Sequence, residues 1–563
     1  VALITSKKRK FMKKVLLTFG LCATILAANA QDFNSPTWTQ ENVVYKQKTD
    51  AVNSAPVTIT ANGDVVTSSS FNTGTLSIGS LVVRAVAKSS YIQKLNAAGT
   101  SQWAVALLGA AEVKSLTSDT DGNIYAVGSF TDKVILTSKT GATEATIQGS
   151  TGSAKSALFI LKYSKDGALL AHKEVVSAVD ATVSASGKYL DEPSKAAYVR
   201  STKVVWANNK LYFTAQYTGV SNLDGVELKG DYLNYLDFMY VDLPRMSVLS
   251  VDASNLSGLT KEYTIKTDLE GLDSQTGVQS LNFAVNNGTL YVASVATGKV
   301  IVETSHKNET LDAGKEGEDL KYGFIYSEVN GTTTNKLFDG GKLATLNSNN
   351  IISALTVDDS NVYVAGTYNT NNVFGKSVTF QGGSDSFVAA FKKGTTDALW
   401  VVNSDINEGD ALKYSERVTG LVLADNKLLL TGYTEETTDH TIKSGFVYNV
   451  TTTGTKTSAG SNVVLGVAND SKQVVTSSVD ELKAVFKGYA LSTTAGINQL
   501  TETNSVVRNG NLFSFEKAQD AVVVDLQGRV VLRASNATTL SVDNLVKGVY
   551  ILKAGTKAVK FVK

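Results

Sequence analysis

Residues 118–130 read SDTDGNIYAVGSF. Two readings compete for this stretch. Either Asp119, Asp121 and Asn123 are oxygen ligands for a calcium ion, or they form the tight corner between two strands. An EF-hand loop needs a further acidic position and a distant Glu, and the fragment resembles only half of one. The rest of the chain repeats the fragment with other corner residues. The copies are NGDVVTSS around Val66, NNKLYFTAQY around Tyr212 and NGTLYVASVA around Tyr291. They continue as DSNVYVAGTY around Tyr363, DNKLLLTGYT around Leu429 and DSKQVVTSSV around Val475. Asn-Gly, Asn-Asn, Asp-Ser and Asp-Asn form turns readily and bind metal poorly. The corner is the favoured reading, and Asp119, Asp121 and Asn123 remain a weak candidate metal site.

Three residues beyond each anchor stands something tiny: Ser69, Gly128, Ala215, Ser294, Gly366, Gly432 and Ser478. A second alternating element led by an aromatic follows most copies, at Tyr91, Phe159, Phe238, Phe324, Phe387 and Phe446, with a weak seventh at Tyr489. In NIYAVGSF one strand face carries Ile124, Ala126, Gly128 and Phe130, and the other carries Tyr125, Val127 and Ser129. Both faces are largely apolar, so each sheet is expected to be covered on both sides. A repeat that cannot hide its own faces must stack on the next copy. Small antiparallel sheets stacked radially make a β-propeller, which leaves only short, protected edges. The tiny residue suits strands that crowd towards a common axis, or sheets that touch closely. The expected fold class is all-β, with seven blades.

These residues resemble the bacterial β-propeller repeat, in which a D-G-N turn, h-Y-h-x-G and an aromatic-led strand ending near Trp succeed one another. Asp121–Gly128 match its first half, and Tyr91–Trp103 (YIQKLNAAGTSQW) its second; FILKYSKDGALL and FVAAFKKGTTDALW are further second halves. The resemblance spans roughly residues 50–490. Compact blades of this kind run to ~40–50 residues. The longer units here imply insertions, around Tyr189 and Tyr198 and between Glu303 and Leu320, and six or eight blades stay open.

The chain has 563 residues, with Lys+Arg 53 against Asp+Glu 52. So even a balance gives no electrostatic support to a nucleic-acid partner. From Met12 the text MKKVLLTFGLCATILAANAQ has two lysines, an apolar stretch and Ala28-Asn29-Ala30, the layout of a secretory leader cut after Ala30. The apolar stretch is too short to span a bilayer comfortably, so no transmembrane segment is expected in the mature chain. The one cysteine, Cys22, lies inside the leader and follows Leu21, which argues against lipidation. A mature chain without thiols has no disulfides, thiolate metal sites or cysteine nucleophiles. The expected organisation is extension and leader over 1–30, propeller over 31–500 and a separate C-terminal domain over 505–563.

That tail, FEKAQDAVVVDLQGRVVLRASNATTLSVDNLVKGVYILKAGTKAVKFVK, holds three alternating strands and ends in spaced lysines. It resembles the type A C-terminal sorting domain of Bacteroidetes type IX secretion cargo. The matching residues include Gly528, Leu545, Gly548, Tyr550 and Lys553, although the family's Pro-Asn-Pro opening is missing. The resemblance implies a small Ig-like β-sandwich, a partnership with the type IX machinery, and a protein at the cell surface or outside the cell. The location would be periplasmic if the tail is not a sorting signal.

Motifs for chemistry are sparse. His172, His306 and His440 are far apart in sequence, and none sits in a two-His metal spacing. There is no G-x-S-x-G elbow and no glycine-rich phosphate loop, so no cofactor is expected. Acids cluster at Asp405, Glu408 and Asp410, and at Glu316, Glu318 and Asp319, in polar contexts that suit solvated loops. Tyr232 and Tyr235 stand just ahead of a strand and are the candidate ligand-binding residues, as faces on which a sugar could stack. The expectation is a monomeric, exported, non-enzymatic propeller that binds an extracellular protein or glycan. Its rival is a propeller-type glycoside hydrolase or polysaccharide lyase.

Overall fold

The computed structural model describes Phe33, residues 35–44, 55–491 with short interruptions, and 506–563 apart from 510, 555 and 556. The interruptions are 73, 86, 150–155, 187–196, 236–238, 271–275, 318, 343–349, 381–382, 405–413, 439 and 481. The proposed leader, with Ala28 and Ala30, lies outside the described residues. Contacts divide the chain into two units, before and after the Leu491/Ser492 junction.

The first unit is built around antiparallel sheets of four or more strands, with small two-stranded hairpins beside them. The first meander has Val57–Ile59, Val65–Phe71, Ser89–Leu95 and Ser101–Leu108. The second has Ala111–Ser118, Ile124–Phe130, Ala157–Tyr163 and Leu169–Val175, and the third Val204–Ala207, Lys210–Tyr217, Arg245–Asp252 and Thr260–Thr267. The fourth has Gly277–Asn286, Thr289–Thr297, Asp319–Val329 and Thr333–Lys342. In the fifth are Ile351–Val357, Asn361–Tyr368, Asp385–Lys392 and Ala398–Asn403; in the sixth, Tyr414–Ala424, Lys427–Glu436, Ile442–Thr451 and Lys456–Gly460. The seventh takes Gly466–Asn469, Gln473–Asp480 and Lys483–Ala490 from one end of the unit, and Trp38–Val43 from the other as its outer strand. The inner strands touch their neighbours in chain order, and the inner strand of the seventh sheet touches that of the first. A closed succession of radially stacked sheets is a β-propeller.

Each anchor lies in the second strand of its sheet, and the two-faced reading of NIYAVGSF holds in detail. Ile124, Ala126 and Phe130 pack with Val66, Ile92, Val105 and Leu107 of the first sheet. Tyr125 and Val127 pack with Leu211, Phe213, Ala215 and Tyr217 of the third. At that distance from either neighbour, both faces of a strand must be apolar.

The tiny residue has a more local cause than crowding at an axis. In the second, fifth and sixth sheets the inner strand carries a bulge, at Val113/Ser115, Ile352/Ala354 and Val418/Gly420, opposite the glycine. The bulge turns a carbonyl onto the spot a Cβ would take: that of Glu112 over Gly128, Ile351 over Gly366 and Arg417 over Gly432. The phenylalanine opposite each glycine in the third strand, Phe159, Phe387 or Phe446, closes the other side.

Two second elements differ from expectation. Met239–Leu243, which follows Phe238, is not the third strand of its sheet but pairs with Asp231–Tyr235 in a separate hairpin; Arg245–Asp252 is the third strand. Phe238 itself lies outside the described residues. In the seventh sheet Tyr489 falls near the end of the third strand, Lys483–Ala490, instead of leading it, and the tiny residue Ser478 faces Val485. Inserted hairpins explain the unit lengths. Lys133–Thr137 with Thr143–Gln148 extends the first sheet, and Lys299–Glu303 with Asn308–Asp312 extends the third. Each hairpin comes from the following sheet's second-to-third connection and covers an edge that would otherwise be open.

The second unit is one connected ladder of five strands, Val506–Asn509, Leu512–Asp525, Val530–Ser541, Val549–Ala554 and Lys557–Val562. Register shifts bend its long strand, Leu512–Asp525, around a core of Phe513, Phe515, Val523, Leu540, Tyr550, Leu552 and Phe561. Gly528 takes φ +78° in a turn closed by Asp525, whose Oδ1 accepts from the amides of Gln527 and Arg529. Tyr550 donates its buried hydroxyl to the Val546 carbonyl, Leu545 packs against the core, and Lys553 is exposed.

Candidate functional site

Meander connectivity sorts the connections by end. Turns from inner to second strand and from third to outer strand lie at one end of the ring, and the remaining connections lie at the other. The first end is made of tight corners. At 118–123, Asp119 Oδ1 accepts from the amides of Asp121 (3.0 Å) and Asn123 (2.8 Å). Its Oδ2 accepts from Asn123 Nδ2 (2.8 Å) and the Tyr125 hydroxyl (3.0 Å), and Gly122 supplies φ +82°. Asp358 repeats the arrangement with Ser360, Asn361 and Tyr363. The carboxylate that metal binding would require is turned onto its own corner, as an Asx turn.

The other end carries the long connections, 131–156, 218–244, 298–318 and 369–384 among them, and is where a ligand face belongs. Over the third sheet, Arg245 holds Asp231 by two hydrogen bonds (2.7 and 2.6 Å), fixing the Asp231–Tyr235 hairpin. Lys229 Nζ meets Asp180 at 2.5 Å, and this ammonium holds the Asp180 carboxyl down at about 2. Tyr232 is half-buried, and its hydroxyl accepts from the Asp180 amide (3.3 Å). Burial pushes that phenol up to about 12. The Tyr232 hydroxyl is thus tied into a polar bracket. Tyr235 sits three residues further along the same strand.

A different residue at this end has the chemistry of a site. Glu416, near the start of the sixth inner strand, is 4% exposed and lies against the fifth sheet. Its Oε2 accepts from the Ser386 amide (2.8 Å), while Oε1 has no hydrogen-bond partner. Burial, with a smaller push from Asp385, raises its carboxyl to about 7, against the bonding from Ser386. On the neighbouring residue, Arg417 Nε bonds Glu435 Oε1 (2.7 Å), which His440 Nδ1 also approaches at 3.0 Å. Glu416 gave no signal in the sequence. It stands outside the acid-rich stretches, and only the pairing of strand register with a neighbouring sheet buries it.

Beside the inner strands stands Lys203, whose Nζ reaches Asn282 Oδ1 (2.8 Å) and the Leu355 carbonyl (3.3 Å), spanning three sheets. Burial lowers its ammonium to about 7. The three histidines do not converge: His172 meets Glu174 (3.3 Å), His306 lies in a turn where its backbone amide donates to Thr304 Oγ1 (3.2 Å), and His440 meets Glu435. Among the described residues, no group of three metal-ligating side chains comes together. Asp319 pairs with Lys342 at 2.5 Å and Glu316 is exposed. Glu318, Asp405, Glu408 and Asp410 lie outside the described residues. No helix among those residues is long and apolar enough to cross a membrane.

No family model matches the sequence, and no curated protein sequence does. Solved structures do. The extracellular domain of a putative one-component system from B. thetaiotaomicron matches at 11% identity and TM-score 0.28, over 90% of this chain and 67% of that one. The polysaccharide lyase Uly1 matches at 10% and 0.39, over 83% and 98%. The α-L-arabinofuranosidase Arb93A of Fusarium graminearum matches at 10% and 0.37, over 73% and 98%. The non-enzymatic expectation is corrected here, because a lyase and a glycosidase stand among the matches. Missing motifs do not argue against catalysis in this architecture. In a ring, acids on different sheets share one end without sharing a local sequence pattern.

Proposed function

We propose that the chain is an exported seven-bladed β-propeller acting on glycans, as a glycoside hydrolase or polysaccharide lyase. Glu416 is its proton donor, at the end of the long connections. The observation that carries this reading is the Glu416 carboxyl, which keeps its proton to about 7 and has one oxygen unpartnered. A carboxylic acid raised in this way can protonate the leaving glycosidic oxygen at neutral pH. The test is a panel of plant and algal polysaccharides, read by reducing ends for hydrolysis and by near-ultraviolet absorbance for elimination. Turnover is expected to fall as pH rises through about 7, and Glu416→Gln to lose about 100-fold or more. Full activity in Glu416→Gln, or no cleavage across the panel, overturns the assignment.

The same reading makes the second unit an Ig-like sorting domain that carries the propeller across the outer membrane, with the leader serving the inner one. Removing residues 506–563 should leave the propeller folded but confined to the periplasm, as cell fractionation would show.

A further inference from the structure

Inserted hairpins extend the outer edges of the first and third sheets by hydrogen bonding to them. The seventh sheet departs from this. Leu76–Ile78 and Leu81–Val83, inserted in the first sheet, form their own two-stranded hairpin and do not pair with the outer strand Trp38–Val43. Between them opens a cleft of about 380 Å³, lined among others by Gln40, Asn42, Ser77, Ile78, Gln93 and Ser101. Clefts of a few hundred cubic ångströms are the usual size for small-molecule sites.

Its back wall is a directed polar chain. Gln40 Nε2 donates to Asn42 Oδ1 (3.1 Å), and Asn42 Nδ2 donates to Gln93 Oε1 (2.6 Å) and to the Tyr91 hydroxyl (3.0 Å). That direction fixes the Gln93 amide with its oxygen towards Asn42. Its Nε2 is left without a hydrogen-bond partner, on a side chain with no exposed surface. The Ser101 hydroxyl is likewise unpartnered. A buried donor left unpaired costs about 1–3 kcal/mol, which a ligand oxygen placed against it would recover. The one carboxylate of the cleft, Glu41, is taken by Lys483 Nζ at 2.7 Å. The cleft therefore presents amides and hydroxyls with no uncompensated charge, beside the apolar Val43 and Ile78.

We propose that this cleft binds a neutral, hydroxyl-rich ligand, a single sugar unit of a glycan. Ring or hydroxyl oxygens would accept from Gln93 Nε2 and bond Ser101, and a C–H face would lie on Val43 and Ile78. The site is separate from Glu416 and does not depend on the role given to that residue.

The test is saturation-transfer NMR on the full chain, with glucose, galactose, mannose, arabinose and N-acetylglucosamine at about 10 mM, enough to fill a millimolar site. Glucuronate is the charged control. At least one neutral sugar should show transfer. Ser77→Trp, which fills the mouth from an exposed position, and Gln93→Leu should each weaken binding at least tenfold. Glu416→Gln should leave it unchanged. Circular dichroism on Ser77→Trp confirms that its fold survives, so a failure of Gln93→Leu to fold does not decide the matter. No transfer from any neutral sugar, binding that survives Ser77→Trp, or a preference for glucuronate overturns the proposal.

Discussion

Glycines 128, 366 and 432 sit where a bulged carbonyl and a phenylalanine ring leave no room for a methyl group. None has positive φ, so their requirement is space and not backbone freedom. Gly277 lies on an inner strand with nothing within 4 Å of its would-be Cβ, also without positive φ. Alanine at 128, 366 or 432 should therefore destabilise by about 1–3 kcal/mol or more through overpacking. Gly277→Ala should be neutral or stabilising by a few tenths, since it only narrows the unfolded ensemble. Denaturant midpoints of the four variants separate the two effects. Equal losses at all four positions would discard the bulge explanation.

At the scale of elements, three tryptophans make one repeated clasp between neighbouring sheets. Trp103 in the first sheet's outer strand donates Nε1 to the Lys165 carbonyl (2.9 Å) and lies over Gly167, in the third-to-outer turn of the second. Trp400 does the same to Thr452 (3.1 Å) and Gly454 of the sixth sheet. Trp38, on the strand that closes the seventh, shares only the ring contact: it lies over Gly99 of the first sheet while its Nε1 donates to Gln473 of its own sheet (3.3 Å). Removing residues 31–44 should expose the Lys483–Ala490 edge and unseat this clasp. The shortened chain should then self-associate and be cut early by protease near its new open edge, as light scattering and mapped digestion would show. A shortened chain as monodisperse and protease-resistant as the whole would mean the ring does not depend on this strand. Much of this architecture was legible beforehand. Period-two strands, Asx corners and the Gly/Phe pair are local signals, and NIYAVGSF divided its residues correctly between two buried faces. Trp38–Val43 was not legible, because its partner Lys483–Ala490 is over four hundred residues away. Glu416 was not legible for a related reason: what buries it is the adjoining sheet.

Across the whole molecule, the buried Glu416 and the half-buried Lys203 act on stability from opposite sides of neutrality. Glu416 has an ordinary carboxyl value of 4.5 and one of about 7 in the fold, so the folded state keeps a proton that the unfolded chain gives up. Between those values unfolding releases a proton, and stability must fall as pH rises. The loss is complete above about 7 and amounts to roughly 3 kcal/mol, at about 1.4 kcal/mol for each unit of difference. Lys203 runs the other way. Its ammonium drops from 10.5 to about 7, so the unfolded chain takes up a proton first and stability falls as pH drops from 10.5 towards 7. Both losses are nearly complete at neutrality, so these groups together should place a minimum in thermal stability near pH 7. Asp180, at about 2, contributes stability that is constant above its ordinary value of 3.8. Glu416→Gln should flatten the acidic side of the minimum and Lys203→Met the alkaline side, each leaving the other side intact. Melting temperatures at closely spaced pH from 5 to 10, at constant ionic strength, read this directly. A wild-type curve with its maximum at 7, or variants that shift the whole curve without changing its shape, would show that neither group changes its proton affinity on folding.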